Sequence, residues 1–337
     1  MNMSQYQSRQ LVLKKKPSHV PTDEDFDLIT IDVGEPAEGQ VLVRNLWMSV
    51  DPYQVAMMQF GVFPVGQVPE GRAAGKVIAS RSPDFRPGDY VMNHLAWREY
   101  VLADASKLEK VTPKAGRVRD YIGPLGITGL TAYVGIFPIG KIKAGESVFV
   151  SGAAGAVGMI AVQLAKAHGC YVVGTAGTDE KCRWLEDVAR IDKAINYKTC
   201  GDIFKAIGAA FPKGIDVYFD NVAGDQLKAA LQNMNYDGRV AVCGLMTSHS
   251  PNPPAYDNSL LGAMIMKSLR FEGVNADRNL HHIPEFRAEM ERLVAAGKMK
   301  WEDTYEEGLE NALKAMQGMY VGKNTGKMLV KLGPDND

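Results

Sequence analysis

Two rhythms of apolar and polar positions divide the chain. Up to about residue 125 the apolar positions come in short alternating runs, "QVLVRNLWMSVDPY", "GRAAGKVIASRS" and "PGDYVMNHLAWREYVLAD", each broken by Gly, Pro or Asp. Alternation with such breakers predicts short strands and tight turns, hence a compact, mostly β domain over residues 1–125. From about residue 146 the grammar becomes strand–helix alternation. "SVFVSG" predicts a strand; Val157, Ile160, Ala161, Leu164 and Ala165 then recur at helical spacing, and Gly169 closes the helix. "YVVGTA" predicts a second strand, "DEKCRWLEDVA" a helix and "AINY" a third strand. "IDVYFDNV" and "RVAVCGL" follow as strands with the helix "DQLKAALQNM" between them, and "LRFEGV" supplies a sixth. This order builds right-handed βαβ units and a doubly wound parallel sheet over residues 126–302. After about Asp303, "GLENALKAMQGM" predicts a helix and "GKMLVKL" a strand. That strand has no βαβ partner left, so residues 303–337 are expected to complete the first domain.

Composition narrows the classes. A length of 337 residues fits two domains better than one core. Hydrophobic residues at 46% and charged residues at 23% match a globular enzyme. A net charge of −1 leaves no basic field for nucleic acid or an anionic membrane. No apolar run approaches the roughly 20 residues that span a bilayer. The opening "MNMSQYQSRQLVLKKK" lacks the apolar core of a secretory signal, and Lys14–Lys16 reads as a solvated strand end. Cys170, Cys182, Cys200 and Cys243 fit neither a zinc spacing nor a small disulfide framework. Reduced thiols in a cytoplasmic protein are the simplest expectation. His281 and His282 are adjacent, so on a regular helix or strand they would point in different directions; no metal site is expected.

The candidate chemistry centres on "VFVSGAAGAVGMIAVQLAKAHGC", with glycines at 152, 155 and 158. The spacing follows a predicted strand and opens a predicted helix, the context a dinucleotide fingerprint requires. Gly152 allows a tight turn, Gly155 lets the backbone approach a pyrophosphate, and Gly158 lets the helix pack on the strand. Ala154, Ala156 and Val157 complete the expected cradle, whose N–H groups and positive helix end favour phosphate. The competing reading is a small-residue turn needed only for packing. The second strand ends in Thr175-Ala176-Gly177, without the acid that binds a ribose 2′-hydroxyl in NAD sites. Asp179 and Glu180 come later, where they would cap the next helix. Lys181 follows and could reach a 2′-phosphate, so NADP(H) is the expected cofactor; otherwise Lys181 is an exposed helix lysine.

"SVDPY", "GLTAY", "GAVG", "DEK", "NYK", "FDNV" and "GKNTGK" occur in one order along the chain. With these the sequence resembles the zinc-free medium-chain dehydrogenases/reductases, and within them the prostaglandin reductase, alkenal double-bond reductase and curcumin reductase branch. The resemblance runs from about Gln10 to Lys331. It implies a GroES-like catalytic domain completed by the C-terminal strand, with a Rossmann domain between. It also implies that Lys181 and Tyr197 hold the 2′-phosphate, that Asn221, Gly244 and Asn324 lie along the cofactor, and that Thr131 is near the nicotinamide. A homodimer through Rossmann edge strands, around Leu269 to Val274, is implied as well. The chain departs from the pattern at Gln54-Val55, at Ile127-Thr128, in "GVNADRN", and in "CGLMTSHS", where His249 stands at a tyrosine position. These departures bear on substrate identity more than on reaction type.

Hydride transfer to an isolated ketone makes an alkoxide, which calls for a Lewis acid or a strong proton donor. An α,β-unsaturated carbonyl spreads the charge to an enolate oxygen that one or two hydrogen bonds can stabilise. The expected activity is therefore NADPH-dependent reduction of the C=C bond of enals and enones. Tyr53 is the first candidate donor and His249 the second, with the cofactor ribose able to share the role. The competing reading of Tyr53 is a ring that packs and bonds locally, and that of His249 is a solvated loop residue. The rival readings are an NADPH quinone oxidoreductase and a non-catalytic NADPH-binding sensor.

Overall fold

The computed structural model describes residues 6–113, 116–249 and 259–334, without the side chains of 248, 249 and 259. The chain divides into two units, Met1–Gly123 with Asp303–Asp337, and Pro124–Glu302.

The first unit begins with the antiparallel pair β1 (Tyr6–Leu13) and β2 (Phe26–Val33). Its main sheet takes β3 (Gln40–Ser49), β4 (Ala73–Ser80), β5 (Tyr90–Asn93), β6 (Tyr100–Asp104) and β7 (Glu109–Val111) from the first part of the chain. Helix α1 (Pro52–Gln59) follows β3. The alternation in "QVLVRNLWMSVDPY" does not reveal this helix, because its start is set by capping rather than periodicity. Asp51 precedes it with extended backbone, Pro52 takes the first helical position, and Gln54 Oε1 accepts the Asp51 N–H at 3.0 Å.

The second unit carries the predicted alternation. Helix α2 (Ile127–Val134) leads to β8 (Ser147–Val150), α3 (Gly158–Ala167), β9 (Tyr171–Ala176), α4 (Asp179–Asp187) and β10 (Lys193–Asn196). Then come α5 (Ile203–Ala210), β11 (Ile215–Asp220), α6 (Gly224–Asn233), β12 (Met234–Val242), α7 (Ser259–Lys267), β13 (Arg270–Gly273) and α8 (Ile283–Ala295). The six strands pair in parallel in the order β10-β9-β8-β11-β12-β13, a doubly wound Rossmann sheet. Phe149, Val173, Ile195, Tyr218 and Val240 are buried on it in one cluster with Ile207 of α5 and Ala230 of α6. Strands buried on both faces read as the near-continuous apolar runs seen in "SVFV" and "YVVGTA".

The tail returns to the first unit. β14 (Asp303–Glu307) pairs in parallel with β15 (Lys327–Lys331), and β15 pairs antiparallel with β3, with Leu329 opposite Ser49. Helix α9 (Ala312–Tyr320) joins them; its Leu313 and Met316 share a core with Met48, Val55, Met58 and Trp97. No helix among the described residues is long and apolar enough to cross a membrane.

Candidate functional site

From β8 the chain runs to β9 and β10 on one side, then crosses to β11 and continues to β12 and β13 on the other. In such sheets the crevice outside the carboxyl ends at the switch point, here β8 and β11, is where ligands bind. The glycine loop follows β8 directly. Gly152 has φ +58°, a left-handed turn that favours glycine, and its N–H donates to Thr175 Oγ1 at the end of β9 (3.2 Å). A Cβ on Gly158 would lie 2.8 Å from Ala153 Cα and nearer still to the Gly152 carbonyl oxygen, so α3 seats on the loop only without one. Gly155 differs: a Cβ there meets nothing nearer than that carbonyl oxygen, at 3.2 Å. Its bare backbone lies beside the first turn of α3, whose positive dipole end favours an anion, although the N–H groups of Met159, Ile160 and Ala161 there already donate to the Gly155 and Val157 carbonyls.

A buried carboxylate ties the loop to the opposite strand. Asp220 Oδ1, at the end of β11, accepts from Ser151 Oγ (3.0 Å), Tyr218 Oη (2.7 Å) and the N–H groups of Val222 (2.9 Å) and Ala223 (2.8 Å). Ala223 has φ +65°, a conformation an alanine adopts only when its surroundings impose it. Asn221 Nδ2 donates to the Ser151 carbonyl (2.7 Å), and its N–H donates to Ser151 Oγ (2.9 Å). The Asp220 carbonyl accepts from Gly244 N–H at 3.0 Å, and a Cβ on Gly244 would lie 2.7 Å from the Asn221 carbonyl oxygen. Gly152, Asn221 and Gly244 are thus gathered at the crevice. Asp220 and Ser151 were not among the residues singled out from the sequence. The signal for Asp220 is a charge closing the otherwise apolar run "VYFD".

At the end of β9, Thr178 caps α4, its Oγ1 accepting from Lys181 N–H (3.3 Å). Asp179 is engaged by Asn196 Nδ2 (2.6 Å), which agrees with a local role for that acid. Burial lowers the Lys181 pKa, and the charge of nearby Lys198 lowers it further against Glu180. A Cβ on Gly177 would lie 3.0 Å from Tyr197 Oη and 3.4 Å from Lys198 Cε, so both side chains come down on this glycine. A phenol hydroxyl and a lysine stem at a bare backbone, with Lys181 close enough to Lys198 to feel its charge, could hold an anion. Lys198 is the member the sequence reading missed, although it ends the motif "NYK".

Thr131 lies on α2 and donates to the Ile127 carbonyl (2.7 Å). On the other unit, Tyr53 stands in the first turn of α1 and is 40% exposed, and Asn324 Nδ2 donates to the Gly326 carbonyl (2.7 Å). His249 ends the short turn Met246–His249; its side chain lies outside what the structure describes. His281 and His282 correct the expectation of divergent side chains. They sit in a 3-10 stretch, Ala276–His282, with ring centroids 4.2 Å apart, and His282 Nδ1 pairs with Glu285 (3.0 Å). Among the described residues no group of three or more His, Cys, Asp or Glu is placed to hold a metal.

Residues 9–111 match the family described as the N-terminal domain of oxidoreductase, and residues 156–295 the family described as zinc-binding dehydrogenase. The chain is 34% identical to the NADPH-dependent curcumin reductase of Escherichia coli (strain K12), over 100% of both chains. It is 36% identical to the NADP(+)-dependent 2-alkenal reductase of Nicotiana tabacum, over 96% of this chain and 97% of that one. The crystal structure of CurA in complex with NADPH from Vibrio vulnificus superposes with a TM-score of 0.90 at 31% identity, covering 97% of this chain and 100% of that one.

Proposed function

The chain belongs to the medium-chain dehydrogenase/reductase family, in its branch of NADP-dependent alkenal, prostaglandin and curcumin reductases, and from that premise we propose that it reduces the C=C bond of α,β-unsaturated aldehydes and ketones with NADPH. The observation that carries the reading is the cation pair Lys181 and Lys198 beside Tyr197, where an NAD site would carry an acid. In this proposal Lys181, Lys198 and Tyr197 take the 2′-phosphate, and Gly152, Ala154, Gly155, Ala156, Val157 and Gly158 cradle the pyrophosphate. Asn221, Gly244, Thr131 and Asn324 are further cofactor contacts. Bound NADPH supplies a hydride for the substrate β-carbon. The chain supplies a hydrogen bond to the oxygen on which enolate charge collects, with Tyr53 the first donor and His249 the second. NADPH oxidation against a panel of enals, enones and quinones tests the reading. Turnover of enals and enones to products saturated at the C=C bond supports it; a preference for quinones, or binding without turnover, overturns it.

Two expected results follow from the donor role. Tyr53→Phe keeps the ring and removes the hydroxyl. Because the bond strengthens as charge develops, kcat should fall more than substrate binding, by roughly 10- to 100-fold, at or below the low end of the roughly 100- to 10,000-fold of a proton-transfer group, because the cofactor ribose shares the role. His249→Ala is the comparison: a full kcat in Tyr53→Phe with a loss in His249→Ala assigns the donor to the histidine. Since hydrogen-bond donors meet the charge, dialysis against a strong chelator should leave the rate unchanged. A loss restored by zinc would contradict the mechanism.

The proposal extends to a homodimer through β13. Among the described residues β13 pairs only with β12 and ends the sheet, and the preceding α7 leaves Ile265 78% and Met266 74% exposed. An open strand edge beside exposed apolar side chains is the kind of surface proteins cover. Sedimentation equilibrium checks this; a monomer at micromolar concentration rules it out. A cytoplasmic location is part of the same reading. Cys170, Cys182, Cys200 and Cys243 are free thiols; burial pushes Cys170 and Cys182 up to about 11 and Cys243 to about 12, which keeps these three protonated. Fractionation of cells producing the protein tests the location.

A further inference from the structure

β15 opens with a lysine whose side chain is 3% exposed. Lys327 Nζ donates to the carbonyls of Val50 (2.8 Å) and Met328 (2.9 Å) and pairs with Asp51 Oδ1 (3.1 Å). These three acceptors match the three protons of an ammonium group. Its stem passes Gly123, where a Cβ would lie 3.3 Å from Lys327 Cγ. Burial lowers its pKa and Asp51 opposes that shift. The other Asp51 carboxylate oxygen takes the Ser49 hydroxyl, and Tyr320 Oη, at the end of α9, donates to the Pro52 carbonyl (3.2 Å). Residues 50, 51 and 52 are therefore held one after another by side chains from β15, β3 and α9, and the next residue is Tyr53. Stability alone does not call for such a lysine, because replacing a buried ion pair with well-packed apolar groups is often neutral or stabilising.

We propose that Lys327 is a positioning residue for Tyr53. By fixing the Val50 carbonyl and the Asp51 cap, it sets the first turn of α1 and with it the direction of the Tyr53 hydroxyl. The inference rests on Tyr53 being the donor to the enolate oxygen. It assigns a catalytic consequence to a residue in the C-terminal strand that makes no contact with substrate or cofactor in this scheme.

The test is a double-mutant cycle on full-length protein with a turned-over enone. Lys327→Met, of similar length and without charge, should reduce kcat by roughly 10- to 100-fold, as removal of the donor does, while the NADPH Kd stays unchanged. Lys327→Met combined with Tyr53→Phe should be no slower than Tyr53→Phe alone, since both changes remove one interaction. Losses that multiply, or a lowered Tm with full kcat, assign Lys327 to structure only and overturn the proposal. If Lys327→Met does not fold, the pair Lys327→Met with Asp51→Asn leaves no lone buried charge. Tyr320→Phe keeps the ring and removes the hydroxyl that bonds the Pro52 carbonyl, and the same non-additivity with Tyr53→Phe is expected of both. A full kcat in Tyr53→Phe itself sinks the donor reading and this proposal together. A slowed Tyr53→Phe with multiplying losses sinks the positioning role alone.

Discussion

Gly155→Val is expected to abolish NADPH binding while leaving the protein folded. The first atom of the new side chain has room, because a Cβ at this position meets only the Gly152 carbonyl oxygen, at 3.2 Å, a contact relieved by a shift of a few tenths of an ångström. The ligand does not tolerate it, because the valine fills the space through which the backbone would approach the pyrophosphate. Losing two charged hydrogen bonds at about 1.5–3 kcal/mol each removes roughly 100-fold to well over 10,000-fold of affinity. Gly158→Ala is the contrast. Its Cβ would meet backbone atoms of the loop, 2.8 Å from Ala153 Cα, so this variant should lose stability first and binding only as a result. Fluorescence titration with NADPH beside a thermal melt separates the two. Near-normal affinity in Gly155→Val would make the loop a packing turn and nothing more.

Lys181→Ala should weaken NADPH by roughly 10- to 150-fold, the equivalent of one charged hydrogen bond, and leave NADH almost unchanged. Lys198 repels the Lys181 ammonium, on top of the burial that already lowers the Lys181 pKa. A 2′-phosphate carries the opposite charge and raises that pKa again, so the cation pair interacts with NADPH in a way it cannot with NADH. Titration of both cofactors against wild type and variant measures the difference. Equal losses for the two would show that Lys181 supports α4 and does not read the phosphate.

The Rossmann sheet was legible because its strands are buried on both faces and its helices bury one. "SVFV" and "YVVGTA" became β8 and β9, and "DEKCRWLED" became α4. The glycine loop was legible because three glycines at fixed spacing have few other uses. Helix α1 was not, since its exposed Tyr53 is as apolar as its buried Val55 and Met58 while its polar Gln54 is buried; burial that does not follow polarity leaves no period to read. Asp220 stayed hidden for another reason. A carboxylate with four donors around Oδ1 depends on residues from β8, β11 and the turn after it, which are brought together only by the fold. Lys198 stood in plain view beside Tyr197, but that it comes down on Gly177 is a fact of three dimensions.

The place of β15 in its sheet has a consequence for how the protein is made. On a ribosome, β3 emerges long before β15, yet Leu329 must lie opposite Ser49. The unit Pro124–Glu302 is continuous in sequence, so it can fold while synthesis is still under way. The first unit has to wait, holding the Trp47–Ser49 end of β3 open until β15 has been made. An open edge during that interval is a template for pairing with other chains. Chains that terminate early, before Lys327, are therefore expected to retain the intact nucleotide-binding half and to associate through the unfinished one, which makes chaperone demand during synthesis a property of strand order.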